Sequence, residues 1–194
     1  KPATERLGVS AIYDAYRPRL AVSEIALSHP SRLIVPKTLD SIEPPLYTAN
    51  PRLSPELLRK GALSDAQFEA VVAMMSAHEK IMPTGERYGV ILADGTGVGK
   101  TNEQVALYLA NKAEGRGRAV YFTEKARHRD NVEKALLMLG GQRSDITDLT
   151  SYRADDALPA RNSLLFGTYH TLGEGDTSDI FPRVQQLIEH LGAD

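Results

Sequence analysis

The sequence predicts an α/β protein built on a parallel sheet, and three observations carry that expectation. Short apolar runs without alternation at 89–93, 119–123 and 163–168 have the character of strands buried on both faces. Segments with apolar residues at helical spacing separate these runs. A glycine-rich loop stands between the first run and the helix that follows it. Strands alternating with helices imply parallel pairing, with helices on both faces of the sheet.

Composition bounds the reading further. The chain has 194 residues, 42% hydrophobic and 25% charged, enough for one packed domain and too few for two large ones. Lys and Arg total 23 against 25 Asp and Glu, a net charge of −2, which excludes a wholly basic nucleic-acid coat protein but not a local basic face. There is no cysteine, so a disulfide framework, cysteine zinc sites and thiol catalysis are excluded. No apolar run is long enough to span a membrane and no signal peptide is visible, so no membrane partner is expected. The first residue is Lys1 rather than methionine, and the expectation is a piece of a longer polypeptide.

In chain order, eight of the 11 prolines lie in the first 55 residues. Proline fixes φ and removes a backbone donor, so residues 1–60 are expected to form a proline-rich arm of extended segments and turns lying on a core. Residues 61–194 hold that core. Ser64-Asp65-Ala66-Gln67 has capping-box spacing and leads a helix through Phe68, Val71, Val72 and Met75 to about Lys80. Gly89–Ala93 is the first strand, and Lys100 to about Ala113 the next helix, stopped by Gly115 and Gly117. Ala119–Thr123 is a second strand. Val132, Ala135, Leu136 and Leu139 mark a helix closed by Gly140-Gly141. A short strand at 146–149, a stronger one at 163–168 and a last helix through Val184, Leu187, Ile188 and Leu191 complete the pattern.

The segment that carries chemistry is Asp94-Gly95-Thr96-Gly97-Val98-Gly99-Lys100-Thr101-Asn102. Glycines let successive backbone N–H groups turn inward toward an anion, and the helix N-terminus adds partial positive charge. In a phosphate-binding loop of this pattern Lys100 bridges the β- and γ-phosphates of ATP, and the Thr101 hydroxyl ligates Mg²⁺. Asp94 stands where small GTPases and kinases want glycine, which argues against a small-molecule kinase and is tolerated in helicase-type ATPases. The even spacing of Gly95, Gly97 and Gly99, with lysine immediately after, argues against a dinucleotide fold.

These residues resemble the first motif of superfamily-two helicases, and more closely the strawberry notch family with its helicase-like relatives in bacteria, plasmids and phages. The resemblance extends to Tyr16-Arg17-Pro18, His29-Pro30-Ser31, Leu63-Ser64-Asp65, Gln67, Glu69-Ala70-Val71-Val72, His78-Glu79 and Gly85-Glu86-Arg87. The family often has Gly-Arg after the lysine, where this chain has Thr101-Asn102. The resemblance implies a RecA-like P-loop NTPase sheet, incomplete at the C-terminus, in the first motor lobe of an ATP-dependent DNA helicase or translocase. It implies that Gln67 reads the adenine edge, beside its alternative role as capping-box partner of Ser64. It also places nucleic-acid backbone contacts at Thr123 and Lys125, after the second strand, and at Thr168, after the later one.

Charge points the same way for the first of these, because residues 112–129 hold six Lys or Arg, Arg127 among them, and two acidic residues. The expected partners are DNA and a further motor lobe of the same polypeptide, and the expected compartment is the cytoplasm of a bacterial, phage-bearing or plasmid-bearing cell. A RecA-like ATPase also needs an apolar strand ending in Asp-Glu, and none follows the phosphate loop here. The expectation is therefore an ATPase as the parent protein, with these residues binding nucleotide and hydrolysing it little. A non-hydrolysing, nucleotide-dependent interaction module is the alternative. The five histidines are scattered without metal-ligand spacing.

Overall fold

A computed structural model describes residues 12–20, 25–159, 163–173 and 177–192. Along the chain two units succeed one another, Lys1–Glu103 and Gln104–Asp194.

In the N-terminal unit, β1 (Tyr13–Ala15) pairs antiparallel with β2 (Ile34–Pro36), with Tyr13 opposite Pro36. Proline is tolerated there because the pair has two edges and no strand beyond it needs the missing N–H. A 3-10 turn at Lys37–Ser41 and a short helix α1 (Pro55–Arg59) follow. Pro55 opens α1 at a position that has no helical N–H bond to lose, and the Ser54 hydroxyl accepts from the Glu56 N–H.

Helix α2 (Asp65–His78) begins as its sequence dictates. The Ser64 hydroxyl accepts from the Gln67 N–H at 3.3 Å, and Gln67 Oε1 accepts from the Ser64 N–H at 2.9 Å. The helix buries Val71, Val72, Met74 and Met75. It also buries Glu69 and Ser76, whose oxygens accept donors from residues 16–20 and 47–49. The Ser76 hydroxyl accepts the N–H groups of Thr48 at 2.9 Å and Ala49 at 3.0 Å. Residues 47–49 lie in no strand, so a side chain satisfies their backbone donors.

One expected element differs. Residues 89–93 belong to no described strand, and Ile91 is 92% exposed. An apolar run states a demand for burial, whereas a strand also needs neighbours for its N–H and C=O groups. Among the described residues no neighbouring strand pairs with it.

Helix α3 (Lys100–Ala113) runs out of the glycine loop, and Gly115, at φ +83°, ends it. The C-terminal unit then contains β3 (Ala119–Thr123), α4 (His128–Met138), β4 (Ile146–Asp148), β5 (Leu164–Thr168), α5 (Tyr169–Gly173) and α6 (Thr177–Leu191). The sheet has the order β3-β5-β4 and is parallel throughout. Being central, β5 buries Leu164, Leu165, Phe166 and Gly167, so it has no polar face to alternate with. Leu149, Leu165 and Leu187 form a core packed by Val120, Phe122, Leu158 and Leu172. Gly167 packs tightly there, since a Cβ would lie 3.0 Å from the Phe122 ring and 3.2 Å from Leu149.

Candidate nucleotide-binding site

The loop at 94–99 is shaped by two glycines in the left-handed region, Gly97 at φ +92° and Gly99 at φ +99°. The Gly99 carbonyl accepts from the Asn102 N–H at 2.8 Å, which starts α3 directly behind the loop. Lys100 is the first residue of that helix. Its ammonium donates to the carbonyls of Asp94 at 2.7 Å and Gly95 at 3.0 Å, so a full positive charge lies against the loop itself. Thr101 and Asn102 follow in the first turn, half-buried. The helix start, the turned backbone and the ammonium together suit a polyphosphate.

The loop is buttressed from behind through one carbonyl. Val98 O accepts from Gln67 Nε2 at 2.7 Å and lies 3.3 Å from His29 Nε2. On its other side the ring meets Ser31, with Nδ1 3.1 Å from the Ser31 N–H and 3.0 Å from the Ser31 carbonyl, which holds the imidazole beside the loop. Gln67 therefore uses both ends of its amide, the oxygen in the capping box and the nitrogen on the loop. Glycine is required at 99 by its φ of +99°, and a Cβ there would also lie 2.3 Å from Gln67 Nε2, which would have to move off the loop.

Acidic residues complete the surroundings. Glu103 is fully buried and neither carboxyl oxygen has a hydrogen-bond partner. Burial, and then the charge of Asp94, push its pKa up to about 8, with Lys100 pulling the other way. Glu69 is also buried. Its carboxylate accepts from the hydroxyls of Tyr16 and Tyr47 and from the N–H groups of Arg19 and Leu20. Sequence reasoning assigned no role to His29, Glu69, Tyr16, Tyr47 or Glu103. His29, Glu69 and Tyr16 lie in the segments that carry the resemblance, which was their only signal. Glu103 reads in sequence as an ordinary first-turn acid.

The residues expected at nucleic acid lie in the C-terminal unit. Thr123 and Thr168 stand opposite each other in register at the carboxyl ends of β3 and β5. The Thr123 hydroxyl is 2.7 Å from His128 Nδ1, and the Thr168 hydroxyl 3.0 Å from that of Thr171. Lys125 and Arg127 are exposed on the connection after β3. The basic stretch is not uniformly available: Lys112 pairs with Asp145 at 2.5 Å, Arg129 with Glu133 at 2.7 Å, and Lys125 with Glu124 at 3.4 Å.

A Mg²⁺ ion carried with nucleotide fits this donor set. Mg²⁺ keeps its waters and takes few protein ligands, so the Thr101 hydroxyl suffices. Among the described residues no group of three or more His, Asp or Glu could hold a metal alone. No described helix is long and apolar enough to cross a membrane.

A glycine-rich loop ending in Gly-Lys-Thr at a helix N-terminus, in a chain that continues into a parallel α/β sheet, defines a P-loop NTPase. The family model described as P-loop containing NTP hydrolase pore-1 matches residues 28–194. The strawberry notch homologue of Caenorhabditis elegans is 30% identical over 98% of this chain and 11% of its own length. The human strawberry notch homologue 2 is 30% identical over 96% of this chain and 13% of its own. FORGETTER 1 of Arabidopsis thaliana is 26% identical over 84% of this chain and 13% of its own. No solved structure matches. The chain belongs to the strawberry notch-like P-loop NTPases, with an incomplete RecA-like α/β fold, and spans 11 to 16% of the length of its curated animal relatives.

Proposed function

We propose that this chain is the ATP-binding part of a motor that couples ATP hydrolysis to movement along DNA in a longer polypeptide. The observation that carries the reading is the Lys100 ammonium drawn against the loop carbonyls of Asp94 and Gly95, in a loop buttressed by Gln67 and His29. On binding, Lys100 exchanges these carbonyls for the β- and γ-phosphates, and the N–H groups of 95–101 surround the phosphate oxygens. The Thr101 hydroxyl holds Mg²⁺, which neutralises charge on those oxygens. Asn102 completes the first turn behind them. Gln67 keeps one N–H and one lone pair beyond its bonds to Val98 and Ser64, which are free to meet an adenine edge.

Thr123, Lys125, Arg127 and Thr168 supply the contacts to the DNA backbone, at one end of the parallel sheet. A further motor lobe is the second partner. The proline-rich residues 1–60 act as an arm on the ATP-binding residues 61–194. Because no apolar strand ending in Asp-Glu follows the loop, these 194 residues bind Mg-ATP and turn it over slowly by themselves.

Calorimetric titration of Mg-ATP, with Lys100→Ala as comparison, tests the loop. Saturable binding that weakens at least about tenfold in the variant is expected, the loss of one or two charge-assisted hydrogen bonds. Equal binding by the two proteins overturns the assignment.

A further inference from the structure

In the C-terminal unit Tyr169 carries a large aromatic ring at the surface and is 65% exposed. The ring lies on that of Phe122, with centroids 6.2 Å apart and planes 24° from parallel. Phe122 in turn packs on the core of Leu149, Leu165 and Leu187. Gly167 leaves room for it, since a Cβ there would lie 3.0 Å from the Phe122 ring. The stack therefore runs from the core through Phe122 to Tyr169, and one face of the tyrosine ring is left to solvent.

The backbone beneath the ring is held as well. Thr171 Oγ1 accepts from the Thr168 N–H at 3.2 Å, and Thr168 Oγ1 accepts from the Thr171 N–H at 3.2 Å. These reciprocal bonds bracket Tyr169. A ring fixed at its backbone and along one face loses little freedom when a second flat group covers the other face. Its setting is equally specific. Tyr169 directly follows Thr168, which stands opposite Thr123 at the carboxyl ends of β5 and β3. Open parallel sheets take their ligands outside those ends. Lys125 and Arg127, exposed after β3, bring positive charge to the same end. An open aromatic face beside hydroxyls and cations matches a base carried on a phosphate backbone. An apolar protein surface would leave the cations unused.

We propose that Tyr169 is a stacking platform for an unpaired base, so that this end of the sheet takes single-stranded DNA in preference to duplex. The inference rests on the nucleic-acid reading of Thr123, Lys125, Arg127 and Thr168 above, and it adds a contact to the base itself. Bases inside a duplex already stack on their neighbours, so only an unpaired base can meet the ring. Every base has a π-face, so such a platform grips a strand without reading its sequence.

The test is fluorescence anisotropy of the full chain with three probes: an oligothymidine of about 12 nucleotides, an abasic strand of that length and a duplex of that length. The unmodified chain should bind the oligothymidine about tenfold more tightly than the abasic strand, as one stacked base implies. Tyr169→Ala should weaken the oligothymidine about tenfold and leave the other two probes within about twofold. Tyr169→Phe keeps the ring and should restore the difference. Equal binding of the two strands by the unmodified chain, or unchanged oligothymidine affinity in Tyr169→Ala, overturns the proposal. Equal weakening of all three probes by Tyr169→Ala also overturns it, since that marks a structural role. If Tyr169→Ala does not fold, the comparison of the two strands by the unmodified chain decides. Removing Lys125 and Arg127 together separates the two readings, since it should weaken all three probes. If it weakens none, or the unmodified chain binds none, the nucleic-acid reading falls and the inference with it.

Discussion

Replacing Glu103 by glutamine should stabilise the chain at pH 8 and leave it nearly unchanged at pH 5. The carboxyl is fully buried with both oxygens unpartnered, and its pKa stands at about 8 against an ordinary 4.5. Between those values the folded chain holds a proton that the unfolded chain has released, so stability falls as pH rises. At about 1.4 kcal/mol per pH unit the ceiling is about 5 kcal/mol. Side-chain relaxation and entering water reduce this to about 2–3 kcal/mol. Glutamine has nearly the same shape and no charge, so it escapes the loss. The assay is urea unfolding of both proteins at half-unit steps from pH 5 to pH 8, read as the difference between them. The difference removes other titrations, including that of buried His190, whose pKa is lowered by burial and by Arg118 and which acts with the opposite sign. A difference that does not grow with pH refutes the reasoning.

Two further outcomes follow from the same geometry. Gly99→Ala should cost about 1–3 kcal/mol, from the positive φ and the Cβ placed on Gln67, and should weaken Mg-ATP. Adding Gln67→Ala should restore only the part due to the clash, as a double-mutant cycle by chemical unfolding will show; full restoration would mean that φ is not strained. Removing Lys125 and Arg127 together should lower the slope of log affinity against log salt for a DNA duplex by about 1.8, measured by anisotropy over several salt concentrations. An unchanged slope would take these residues off the DNA path.

Much of the fold was legible because its signals are local. The Ser64–Gln67 capping box, the glycines of the loop and the start of α3 at Lys100 depend on residues within one or two turns of each other. The strands at 119–123 and 164–168 were readable from their uninterrupted apolar runs, but only the central 164–168 is buried as expected; 119–123, at an edge of the described sheet, is half-buried throughout. The run at 89–93 has the same composition, yet it lies unpaired, because composition states a demand for burial without naming the strand that meets it. The basic stretch at 112–129 was a local count, and only packing showed that Lys112, Lys125 and Arg129 have acidic partners.

By itself the sequence determined the chemistry of the loop: which residues can turn, which carries the charge, and where the helix begins. Tertiary structure alone decided what surrounds that loop. Val98 O receives both Gln67 and His29, residues 31 and 69 positions away. Glu69 gathers donors up to 53 positions distant, and Glu103 becomes a buried acid although it occupies an unremarkable first-turn position. Phosphate-loop geometry is a short-range property of backbone conformation. The satisfaction or isolation of a buried carboxylate depends on which distant donors the fold delivers to it.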